Sequence, residues 1–200
     1  MLESCVEQKA EQIPVQITGP KQALINRYLQ AKDHNRPHLM AAVFSESAQL
    51  TMKVKSGEVV FPAATVGLNA ITDVLVREFN QRFENIYSRV LRDSVQEENG
   101  VLSCRWLVVM SEKQQRLVCV GGGEYRWQFN DAKPLRVSRL GIQIEQMIRL
   151  QPTLSDALMA WPQSLSDPWC DTFKALTNMP ELPQLIPLRE YLAAAPTLTN

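Results

Sequence analysis

The 200-residue chain has no apolar run near the roughly 20 residues that cross a bilayer as a helix. Its first residues, Met-Leu-Glu-Ser-Cys-Val-Glu-Gln-Lys, lack both the basic region and the apolar block of a secretory signal. A cytoplasmic location is the expectation. Charge of one sign is not in surplus, since 21 basic residues face 21 acidic ones. No global field draws the chain to nucleic acid or to an anionic membrane, so neither is expected as a partner. Cys5, Cys104, Cys119 and Cys170 include no pair at the spacing of zinc or redox motifs and are expected as reduced thiols. The two histidines, His34 and His38, are separated by Pro37, which interrupts any helix that would bring both to one metal. Neither a metal nor a cofactor is expected. The triple glycine at 121–123 lacks the Gly-x-Gly-x-x-Gly spacing and has no helix after it, which argues against phosphate binding.

What is present is a hydrophobic content of 45%, ample for a packed core. The most informative stretch is Gly121-Gly122-Gly123-Glu124-Tyr125-Arg126-Trp127-Gln128-Phe129. Successive strand side chains point to opposite faces, so Tyr125, Trp127 and Phe129 share one face and Glu124, Arg126 and Gln128 the other. Glycines ahead of such a run let the strand bend around a pocket.

Residues 1–19 read as a flexible lead-in, 20–150 as a folded domain and 151–200 as a Pro-rich helical arm. Leu24, Ile25, Tyr28 and Leu29 recur at helical spacing and predict a first helix that carries Tyr28 inward. Pro37 suits the first position of a short second helix, and Asp33 falls between the two. Two short strands are predicted, Ala48 to Val54 and Glu58 to Phe61, joined by a turn at Lys55-Ser56-Gly57. Leu68, Ile71, Leu75 and Phe79 form the stripe of a third helix after Gly67. The period then changes to two, which predicts four long strands (Asn85 to Val95, Val101 to Met110, Gln115 to Phe129 and Leu135 to Met147) in an antiparallel meander.

Pairing around a turn at Glu112 to Gln115 sets Cys104 near Gly123, Cys119 near Val108 and Trp106 near Gly121, so the two thiols are not neighbours. It puts Leu102, Cys104, Trp106 and Val108 on the Tyr125 face. Arg105, Leu107, Val109, Val118 and Val120 form the other face, which is too apolar for free exposure and suggests a homodimer through the sheet. The arm would cover the domain or a neighbouring subunit.

Several short motifs resemble the nuclear transport factor 2-like superfamily, which includes ketosteroid isomerase-like and SnoaL-like proteins. They are Arg27-Tyr28-Leu29 with Asp33, the run from His38 to Ala48, Gly67-Leu68-Asn69-Ala70-Ile71, and the strand from Tyr125 to Asn130. The resemblance implies an α+β, cone-shaped fold in which three N-terminal helices pack on a strongly curved antiparallel sheet. It places Tyr28 and Tyr125 where ketosteroid isomerases hold their two oxyanion-hole donors, a system that serves as a standard example of a tyrosine and a protonated aspartate acting together. The general-base aspartate of that family falls on Met52, which cannot accept a proton. The dehydratase branch would use histidines near Ile86-Tyr87-Ser88, where this chain has none.

Three functions remain open. The first is binding of a small, largely apolar ligand by Tyr28, Met52, Trp106, Tyr125 and Trp127, with the two phenols as polar anchors. The second is isomerase, cyclase or dehydratase chemistry through a carboxylate such as Asp33 or Asp73, with Tyr28 and Asp33 as catalytic candidates. The third is a protein-interaction or assembly module. Against these stand plainer readings: Tyr28 and Tyr125 as core residues with hydroxyls at a rim, Trp106 as core filling, and Asp33 as part of a solvated loop.

Overall fold

The structure, a computed structural model, describes residues 17–55 and 61–194. Cys5, the turn at 56–57 and most of the strand expected at 58–61 lie outside the described residues. The first helix, α1 (Gly19–Asp33), buries Leu24, Ile25, Tyr28 and Leu29 as their spacing predicts. Ile17, within the expected lead-in, is already in the core. The second helical piece, Pro37–Ala42, is a single 3-10 segment. Gly67, at φ +95°, opens α2 over residues 68–82, whose middle, Asp73–Glu78, has π geometry.

The strands are β1 (Phe44–Val54), β2 (Ala64–Val66), β3 (Phe83–Leu91), β4 (Gln96–Glu98), β5 (Val101–Glu112), β6 (Val118–Phe129), β7 (Val137–Leu150) and β8 (Trp169–Cys170). They form one sheet in the order β2-β1-β7-β6-β5-β3-β8, with β4 on β5. The meander β3-β5-β6-β7 is antiparallel as expected, but β1 joins β7 in parallel, so the sheet is mixed. The short strand after β1 is at Ala64–Val66, a position the sequence reading does not mark.

The register of β5 on β6 differs from expectation by two residues. Cys104 lies opposite Tyr125, Trp106 opposite Gly123 and Cys119 opposite Met110. The connection runs from Glu112 to Val118, longer than the expected turn, with Arg116 at φ 58°. A shift of two preserves every face, so the face assignments stand and Cys104 and Cys119 remain apart.

The triple glycine makes room in three directions. A Cβ at Gly123 would overlap the Gln143 carbonyl oxygen and come within 2.8 Å of Trp106, one at Gly122 would lie 2.6 Å from Leu188, and one at Gly121 2.7 Å from Met147. The pairing of β6 with β7 skips Glu145 at Gly122/Gly123, a bulge that bends the sheet here.

The concave face packs on α1 and α2. The convex face carries a second core, in which Leu107, Val109, Val118 and Val120 meet Leu158, Trp161, Leu165, Leu185, Leu188 and Leu192 of the arm. The arm comprises α3 (Ser155–Gln163), α4 (Thr172–Thr177) and α5 (Ile186–Ala193). Its strand β8 extends the edge of β3. Two buried arginines hold it. Arg89 donates to the Pro162 carbonyl at 2.8 Å and pairs with Asp167 at 2.7 Å. Arg105 donates to the carbonyls of Tyr191, Leu192 and Ala194 at the end of α5. The expected dimer rested on this sheet face being uncovered, and the chain's own arm covers it. Each fully buried leucine contributes about 1.5–3 kcal/mol relative to exposure, so the arm belongs to the folded unit. Truncation after Leu150 is expected to expose this apolar face and cause self-association in sedimentation velocity. A truncated chain that self-associates no more than the full-length protein and keeps its Tm would contradict this.

Candidate functional site

A cavity of about 50 Å³ lies between the helices and the concave sheet. Its wall is mostly apolar: Met52 from β1, Leu75 and Phe79 from α2, Trp106, Val108 and Met110 from β5, and Ile142, Ile144 and Met147 from β7. Phe61, Phe79 and Met147, which also line it, are half-buried. This volume holds roughly three to five water-sized groups, far below the roughly 300–1,000 Å³ of a pocket for drug-sized ligands.

Of the residues expected to bind a ligand, Tyr28, Met52, Trp106 and Tyr125 line the cavity. Trp127 does not. It is fully buried, with its ring centroid 5.3 Å from Tyr28 and 5.5 Å from Tyr125, and it pairs in register with Leu102 and Leu140. Alternation puts it on the correct face, but two residues beyond Tyr125 the space is filled by core. The rings interlock further: Trp106 stacks on Tyr125 at 5.4 Å, and Tyr28 meets Tyr125 edge-on at 5.9 Å. Such pairs add about 0.5–1.5 kcal/mol each beyond area burial and hold both phenols in place.

Polar satisfaction is incomplete. The Tyr28 hydroxyl, the Trp106 Nε1 and the Trp127 Nε1 are buried without a hydrogen-bond partner. Tyr125 lies beside Tyr28, with ring centroids 5.9 Å apart, but no donor–acceptor geometry links the two hydroxyls. Burial, the dominant cause, pushes the ionisation of both phenols well above the ordinary range, and the Asp33 charge adds to it.

The cavity floor carries a polar cluster. Lys32 Nζ contacts Asp33 Oδ1 at 2.5 Å and donates to Ser88 Oγ at 2.8 Å. Ser88 Oγ donates to Asp33 Oδ1 at 3.0 Å, and its backbone N–H donates to Asp33 Oδ2 at 2.9 Å. Asp33 is therefore the last residue of α1 with a side chain 9% exposed, not part of a solvated loop. Lys32 and Ser88 line the cavity, while Asp33 lies behind them and borders a polar groove on the outer side of α1. The sequence reading passes over Lys32 and Ser88. Lys32 had a signal: it stands four residues after Tyr28, on the inward stripe of α1. Ser88 had none, because its role depends on where β3 crosses α1.

The remaining candidates stand apart. Asp73 is half-exposed and pairs with Arg77 at 2.6 Å. His34 and His38 are both exposed. Among the described residues no helix is long and apolar enough to cross a membrane.

Burial raises the Cys104 and Cys170 thiols to about 12 and Cys119 to about 11. These groups and the two phenols stay neutral in the fold, whereas unfolded thiols ionise near 8.5 and phenols near 10. Stability is then complete below those values and falls as pH rises through them, because the unfolded chain releases protons that the folded chain keeps. Thermal melts are expected to show a falling Tm from about pH 9 upward. The tyrosinate absorbance of Tyr28 and Tyr125 is expected to appear only as the fold opens.

No family model matches the chain, and no curated protein matches it in sequence. Solved structures do. A protein from Rhodopseudomonas palustris assigned as an isomerase superposes with a TM-score of 0.53 at 16% identity, over 65% of this chain and 93% of its own. A type 2 hexachlorocyclohexane dehydrochlorinase gives 0.51 at 13%, over 66% and 86%. A nuclear transport factor 2-like protein from Burkholderia xenovorans gives 0.50 at 11%, over 66% and 93%. With three N-terminal helical segments, a bent sheet and the cavity between them, the chain has the nuclear transport factor 2-like fold.

Proposed function

We propose that the cavity binds a small, largely apolar molecule bearing one hydrogen-bond acceptor, with Tyr28 and Tyr125 as its polar anchors. The carrying observation is that Tyr28, a residue of the cavity wall, has a buried hydroxyl without a partner. A buried hydroxyl left unpaired costs about 1–3 kcal/mol, and an acceptor on a ligand would recover that. The Trp106 Nε1, also unpaired and on a lining residue, adds a second idle donor. A carbonyl compound of a few heavy atoms matches this inventory of donors and the available volume. Larger ligands require the half-buried rim of Phe61, Phe79 and Met147 to move, and a methionine there adapts readily.

A second reading, acid–base catalysis, is favoured by Asp33. Its carboxylate reaches the cavity through Ser88 and Lys32. The similar folds include proteins named as an isomerase and a dehydrochlorinase. Met52 supplies no base, so in this reading the proton acceptor is Asp33 acting through that cluster.

Tyr28→Phe separates a binding site from a packed core. Removing an unpaired buried hydroxyl is expected to raise ligand-free stability by about 1 kcal/mol while weakening binding of isobutyramide or butan-2-one about tenfold. Urea denaturation and thermal shift measure the two effects. A loss of stability, with no response of the wild type to either compound, would show that Tyr28 serves packing alone.

A further inference from the structure

Lys32 is a lysine where an apolar residue would complete the stripe of α1. A lysine serving only as a counter-ion ordinarily buries its stem and keeps its head in water. Lys32 is 6% exposed, lines the cavity, and holds its Nζ 5.0 Å from the centroid of the Phe79 ring. A buried ion pair is weak support for stability, since desolvation of both charges offsets their attraction. Its ammonium has three donors. Asp33 and Ser88 take two.

Lys32 thus lines the same small apolar cavity as Tyr28, whose hydroxyl has no partner, and its amine is in contact with a carboxylate. Amines in apolar surroundings with a proton acceptor at hand are the ones that add to carbonyl carbons. We propose that Lys32 is an imine-forming residue that condenses with a small aldehyde or ketone in the cone. This rests on the binding reading above and specifies its ligand class.

The step needs no oxidant or reductant. Lys32 passes a proton to Asp33 Oδ1, which replaces two buried charges by two neutral groups. The neutral amine attacks the carbonyl carbon, whose oxygen is held by Tyr28. A carbon–nitrogen bond forms, and the carbon–oxygen bond then breaks. The oxygen leaves as water with two of the three ammonium protons, one moved from the nitrogen and one returned from Asp33 through Ser88, and the third stays on the nitrogen as a protonated imine beside the Asp33 carboxylate. Ligand plus lysine becomes imine plus water.

The full-length protein is incubated with propanal and sodium cyanoborohydride, and propylated lysines are mapped by peptide mass spectrometry. Lys32 is expected to be modified at least about tenfold faster than the exposed Lys53, Lys133 and Lys174, because its reactants are held together and dry. Prior saturation with isobutyramide, which occupies the cavity but forms no imine, is expected to suppress the Lys32 label alone. Asp33→Asn is expected to slow that label at least about tenfold while leaving isobutyramide binding in place. Modification of the exposed lysines with Lys32 untouched overturns the proposal. If isobutyramide still raises the Tm in that case, the binding reading survives. If it does not, both fall.

Discussion

The architecture depends on three adjacent residues without side chains at the centre of the sheet. At Gly123 the β7 backbone and the Trp106 indole both come closer than any Cβ would allow, and at Gly122 the same holds for Leu188 of the arm. The bulge at Glu145 follows from that close approach and bends β7 over the cavity. One face of this short segment therefore shapes the cone, and the other receives the arm. A strand with ordinary side chains here would force the two cores apart.

Covering both faces changes what the sheet does. In an antiparallel sheet with one wet face, the convex side would alternate polar residues. Here Leu107, Val109, Val118 and Val120 are apolar because the arm lies on them. Arg89 and Arg105 are accommodated beside this second core because both donate to backbone carbonyls of the arm. The arm lies on the sheet face through which a homodimer was expected.

The cavity combines near-complete filling with incomplete polar satisfaction. Interlocked rings leave only about 50 Å³ open, yet the Tyr28 hydroxyl and the Trp106 and Trp127 indole nitrogens go without partners. A core selected for stability alone would replace Tyr28 with phenylalanine and Lys32 with an aliphatic residue. The buried hydroxyl and ammonium are the features on which the proposed binding site rests.

Much of this is written in local periodicity. The inward turn of Tyr28, the shared face of Trp106 and Tyr125, and the burial of both follow from spacings of three to four and of two. These survive even a two-residue error in register, because the alternation has the same period. Depth along a strand does not follow, which is why Trp127 reads as a lining residue and is found in solid core. The parallel closure of β1 on β7 and the meeting of Asp33 with Ser88, 55 residues apart, are likewise absent from any local pattern. The sequence by itself determined the elements and the faces they present, since those are set within a turn of helix or a pair of strand residues. Only the tertiary structure decided what each face meets, how much space is left, and which polar groups go without partners, because those depend on packing volume and long-range register across the whole chain.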